Sequence, residues 1–172
     1  ERRPLPVATP GTLAPLRISV ASVISPRGTV ESYQPLLDYL SARLGRPIEL
    51  VQRRTYAETN ELVGRGDVDM AFVCTSAYIS GRDAYGMTLL AAPEVAGSTT
   101  YQSLLLVHAD SEARSMADLR GAVFAFTDPA STSGYLIPAT DVMDAMSFDS
   151  KDQLDTFFGE LQFAGSHPAS VL

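Results

Sequence analysis

A single cysteine, Cys74, excludes an intramolecular disulfide and any multi-cysteine zinc or iron–sulfur site, and leaves the redox compartment open. Long hydrophobic runs are missing too. The longest, such as Ser103-Leu104-Leu105-Leu106-Val107, fall far short of the ~20 residues a helix needs to span a bilayer, so no membrane span is expected. Positive charge is in deficit: 13 Lys and Arg against 20 Asp and Glu give a net charge of -7 over 172 residues, which argues against nonspecific nucleic-acid binding. No Walker-type phosphate loop occurs. The first fifteen residues, with four prolines and two adjacent arginines, lack the apolar core of a signal peptide and read as an extended tether over 1–15. What remains, 45% hydrophobic and 19% charged, is a globular composition that excludes disorder, and a chain this long buries roughly 70% of its unfolded surface.

From Leu16 onward, short apolar runs alternate with amphipathic stretches. The patterning predicts strands at 16–23, 48–51 and 68–73, with helices at 29–44, closed by Gly45, and at 56–63, closed by Gly64 and Gly66. A helix is expected at 76–83, a strand at 87–92, and a crossover loop at 93–100. The second half repeats this grammar: strand 101–108, a short helix 115–119 with Ser115 as N-cap, strand 122–127, helices 131–146 and 151–158, and strand 161–164. Such alternation builds mostly parallel sheets with right-handed crossovers and covering helices, and ligands gather at the carboxyl ends of the strands. The division expected is a first α/β lobe over 16–98 and a second over 99–172. The second lobe reads as incomplete, because its strands would leave open edges.

The most informative segment is Thr127-Asp128-Pro129-Ala130-Ser131-Thr132-Ser133-Gly134-Tyr135, a turn and three hydroxyl residues between a strand and a helix. The first N–H groups of a helix lack intrahelical partners and sit at the positive end of its dipole, so with neighbouring hydroxyls they can hold an oxyanion without a formal positive charge. The same residues could simply cap the helix. Taken singly, Tyr56 and Tyr101 could pack against the fold, and His167, between Ser166 and Pro168, could be a cap. His108 has no second ligand at metal spacing, and Asp67 with Asp69 reads as a turn. Cys74, at the end of the run Met70-Ala71-Phe72-Val73 with no basic neighbour, reads as structural; an enzyme using it as nucleophile is the weakest option.

The string Ser131-Thr132-Ser133-Gly134-Tyr135-Leu136-Ile137-Pro138 resembles the signature of the extracytoplasmic substrate-binding proteins of phosphate, phosphite and phosphonate ABC transporters. The segments 16–23, 33–40, 66–71, 101–107, 116–121 and 163–167 follow that family's order, so the resemblance covers essentially 16–172. It implies a type II periplasmic-binding-protein-like clamshell of two α/β lobes, with the ligand between them. It also implies that Ser131, Thr132 and Ser133 hold a small phosphorus oxyanion, that Tyr56 and Tyr101 close on it, and that His167 lies near the oxyanion or its substituent. The resemblance further implies a binding protein rather than an enzyme, with no cofactor and no metal, working outside the cytoplasm with or without a lipid tether and delivering to an ABC transporter permease. A ligand-sensing domain of the same fold, coupled to a signalling kinase or regulator, is the alternative. The family continues with further second-lobe elements and acidic ligand contacts that have no counterpart in these 172 residues.

Overall fold

The computed structural model describes residues 13–21 and 25–171. The expected tether therefore lies largely outside the described residues, as does the end of the first expected strand, at 22 and 23. The first lobe is built on β1 (Leu16–Val20), β2 (Ile48–Gln52) and β3 (Met70–Phe72), in the order β2-β1-β3 and parallel throughout. Leu16 stands beside Ile48, Ile18 beside Leu50 and Met70, and Val20 beside Gln52 and Phe72. The central strand is the most buried: Ile18 and Val20 are enclosed, with Leu37, Leu62 and Val68 also buried in this lobe. Residues 68 and 69 stay outside β3, where the Asp69 carboxylate accepts the Arg17 N–H at 2.8 Å.

Three helices connect and cover these strands. The first, α1 (Pro26–Leu44), starts three residues earlier than its apolar spacing predicts, because Ser25 caps it through Gly28 and proline suits a first helical turn. It ends at Gly45, whose φ of 59° is the left-handed conformation glycine adopts without strain. A reciprocal capping box opens α2 (Tyr56–Gly64): Thr55 accepts the Glu58 N–H and the Glu58 carboxylate accepts the Thr55 N–H. The third helix, α3 (Thr75–Tyr85), follows β3 directly, and its N-cap, Cys74, makes no capping bond.

In the second lobe, β4 (Val123–Phe126) pairs in parallel with β5 (Glu160–Phe163). Between them run a wide π-type turn at Thr132–Leu136, α4 (Ile137–Met146) and α5 (Lys151–Phe157). Its core gathers Phe126, Ala139, Val142, Leu154, Phe157 and Phe158. The single helix expected over 131–146 is thus two elements, divided just ahead of Pro138.

Two expected strands do not form. Residues 87–92 and 101–108 lie in no ladder, and Leu89, Leu90, Leu104 and Leu106 are exposed. Alternation marks a segment fit for a strand, but a strand also needs a neighbour to take its N–H and C=O groups, and none of the described strands lies alongside. Among the described residues no helix is long and apolar enough to cross a membrane.

Candidate functional site

The carboxyl ends of β3 and β4 release their chains toward each other. From the second lobe comes the turn at 127–134. Ser131 is fully buried and its Oγ accepts the Gly134 N–H at 3.0 Å, so this hydroxyl holds the turn's shape. Gly134 belongs there for steric reasons: a Cβ at that position would lie 1.8 Å from Thr127 Oγ1. The neighbouring Thr132 points out of the turn into the first lobe.

There it meets the start of α3. Thr132 Oγ1 accepts the Ser76 N–H at 2.9 Å and thereby caps a helix in the opposite lobe, taking the role that Cys74 leaves vacant. The Thr132 N–H donates to Cys74 Sγ at 3.3 Å, and the Thr132 hydroxyl lies 3.2 Å from the same sulfur. Ser76 Oγ bonds Thr132 Oγ1 at 3.0 Å and donates to the Ala130 carbonyl. Tyr101 brings its phenol to 3.7 Å from Cys74 Sγ, and Ser103 Oγ donates to the Ser133 carbonyl at 2.6 Å. Two helix starts therefore face each other across the lobes, with hydroxyls, phenols and one sulfur between them.

Tyr56 seals one side, packed with Ala21 and Ala77 and against Val73, Cys74 and Ala130. Its N–H donates to the buried Asp128 carboxylate at 3.4 Å, and the other oxygen of Asp128 accepts the Ala130 N–H at 2.7 Å. Burial first, then the Cys74 thiol and the Asp128 carboxylate, hold the Tyr56 phenol well above its ordinary range, so it stays a hydrogen-bond donor at any physiological pH. Tyr101 is also raised, by burial and by Cys74, with Ser133 acting against them. At Cys74 burial pushes the thiol up, but its hydrogen bonds with the Thr132 hydroxyl and N–H, with the Tyr101 phenol and with the Thr75 N–H outweigh it, and the net shift is downward.

Of the expected site residues, Thr132, Tyr101 and Tyr56 meet at one sulfur, Ser133 adjoins them through Ser103, and Ser131 supports the turn. His167 stands apart, half-buried before a short 3-10 turn at Pro168–Ser170, with no side-chain hydrogen bond to the others among the described residues. The reading missed Cys74 and Ser76. The available signal was their position at the carboxyl end of a buried strand opening a helix, the same grammar that singled out 131–133. Among the described residues no group of three or more His, Cys, Asp or Glu is placed to hold a metal ion.

Two parallel α/β lobes with facing helix starts at their junction define a periplasmic-binding-protein-like fold. Solved structures agree. The binding protein component of an ABC phosphonate transporter from Pseudomonas aeruginosa superimposes with a TM-score of 0.75 at 24% identity, over 89% of this chain and 51% of that one. PhnD1 from Prochlorococcus marinus, solved with methylphosphonate, gives 0.64 at 15% identity, over 90% and 57%. The chain belongs to the family of ABC transporter, phosphonate, periplasmic substrate-binding proteins, whose profile matches residues 18–172. It is 34% identical over 146 residues to the phosphate-import protein PhnD of Mycolicibacterium smegmatis, covering 82% of this chain and 46% of that protein. The chain thus spans about half the length of these relatives. The family is one of transport binding proteins, which is not a class of enzymes.

Proposed function

We propose that this chain contributes the oxyanion-holding part of an extracytoplasmic solute-binding protein that captures phosphate, phosphite or a phosphonate and hands it to an ABC transporter permease. The observation that carries this reading is the convergence of Thr132, Tyr101 and Tyr56 from two lobes on one point between two helix starts. An oxyanion placed there would replace the weakly accepting Cys74 sulfur and take the Thr132 N–H and hydroxyl, the Thr75 N–H that now bonds the sulfur, and the two phenols. Ser133 would add a hydroxyl, Ser131 would keep the turn in register, and His167 would approach as the lobes close. With a net charge of -7, selectivity comes from these aimed donors rather than from bulk attraction.

Titration calorimetry with phosphate, phosphite and methylphosphonate tests the reading. Binding by the wild type should weaken by roughly 1.5–3 kcal/mol, about 10- to 150-fold, in Thr132→Ala/Ser133→Ala, the value of a hydrogen bond to a charged group. Unchanged affinity for all three in a folded variant overturns the assignment.

A further inference from the structure

A second recess adjoins the junction. A cavity of about 690 Å³ opens where β1 ends at Val20, β2 at Gln52, and the chain leaves β5 through Ala164, Gly165 and Ser166. Its walls therefore come from both lobes. They are also the sequence neighbours of two residues already expected at the ligand: Arg54 and Glu58 flank Tyr56, and Ser166 precedes His167. The second-lobe wall is fixed beside the hydroxyl turn, since the Ala164 N–H donates to the Phe126 carbonyl at 2.8 Å and the Gly165 N–H to that of Thr127 at 2.7 Å.

The charges around this cavity are unlike those of the molecule as a whole. Arg53 and Arg54 both line it, and among the described residues neither guanidinium forms an ion pair with a carboxylate. Arg53 Nη1 donates to the Gln52 carbonyl at 2.8 Å, which leaves the rest of its donors unspent. The acidic side chain in the wall, Glu58, is engaged: its carboxylate accepts the Arg54 and Thr55 N–H groups at 3.0 and 3.2 Å. The start of α1 supplies a third positive element, because Ser25 and Thr29 line the cavity and this 19-residue helix has no acidic residue in its first turn. Two guanidinium forks, beside a helix start that carries no acidic side chain, suit an anion and repel an ammonium group.

We infer that this cavity receives the substituent of the bound phosphorus compound, and that the substituent is itself acidic: the favoured ligand is an organophosphorus oxyanion carrying a second anionic group, a carboxylate or a further phosphoryl. The inference rests on the proposed function, since the second-lobe wall of the cavity is hydrogen-bonded to Phe126 and Thr127 at the entry to the turn that carries Thr132, and a head group held at that turn has its substituent within reach of the cavity. A one-carbon spacer is enough to test it.

Calorimetry on the wild type should rank phosphonoacetate about tenfold or more above methylphosphonate, and 2-aminoethylphosphonate below phosphonoacetate, with the preference shrinking as salt is raised. In Arg53→Ala/Arg54→Ala, and in Arg53→Gln/Arg54→Gln as the closer replacement, affinity for phosphonoacetate should fall at least about tenfold further than affinity for methylphosphonate. Equal losses for the two ligands, or no wild-type preference for phosphonoacetate, overturn this inference while the proposed function stands. Failure of the wild type to bind any of the three, or phosphate, overturns both.

Discussion

At Cys74 two effects oppose each other, and their balance is measurable. Burial disfavours the thiolate, whereas four hydrogen bonds, two of them with Thr132, favour it and prevail. The folded pKa is therefore below the unfolded one. The stabilisation this provides is present above the unfolded thiol pKa of about 8.5 and is lost as pH falls through the folded value. We predict that the pH profile of Cys74 alkylation by iodoacetamide has its midpoint below that of the same cysteine in the urea-unfolded chain; coincident profiles would contradict the hydrogen bonds around the sulfur. In the sequence Cys74 looked inert because nothing basic lies near it. Its partner Thr132 is 58 positions away, a separation that no local pattern reports. Ser131, Thr132 and Ser133 stood out because consecutive hydroxyls open a helix after a strand there, and the capping role open to them is the one Ser131 takes, accepting the Gly134 N–H.

Among the elements, the turn at 127–134 is the one on which the site depends, and its tightness sets its tolerance. Gly134→Ala would drive a methyl into the Thr127 side chain, whose Cβ and Cγ2 both lie 2.7 Å from the new atom as well. We predict a loss of about 1–3 kcal/mol in urea unfolding, the cost of overpacking a closed site, and an unchanged midpoint would show that the turn yields freely. The helices were read correctly in kind because caps and apolar spacing are local. The Thr55–Glu58 capping box, Gly45 and Ser115 are all visible in one dimension. The change from π-type turn to α4 was less legible: Leu136 and Ile137 both keep helical dihedrals, and Pro138 sits in the first turn of α4, where its missing N–H costs nothing. The strands at 87–92 and 101–108 failed for the converse reason: pairing is a property of two segments, and alternation describes only one.

For the molecule as a whole, the question is what fixes one lobe against the other. Beside the Thr132, Ser76 and Cys74 contacts, Asp128 contributes to this, accepting from Ala130 in its own turn and from the first N–H of α2 in the opposite lobe. Asp128→Ala leaves both donors unpaired in a buried place, so we predict a loss of about 1–3 kcal/mol, with Asp128→Asn, which retains an acceptor, losing less. Denaturant midpoints of the two variants decide this, and equal, negligible losses would assign the lobe contact to apolar packing instead. The two-lobed α/β architecture was legible from the order of elements. The meeting of Thr132 with α3 was not, because the angle between lobes is set by contacts that no periodicity encodes.

The placement of two phenols beside one sulfur has an optical consequence. Tyrosine emission is quenched by a nearby thiolate, and the chain carries seven tyrosines and no tryptophan to mask them. Tyr56 and Tyr101 both adjoin Cys74, one buried and one largely exposed. At a pH where Cys74 is ionised, any event that parts the sulfur from these rings, whether an anion entering or the lobes swinging open, brightens the protein's own ultraviolet emission without an attached dye, and Cys74→Ala should lose that pH-dependent quenching.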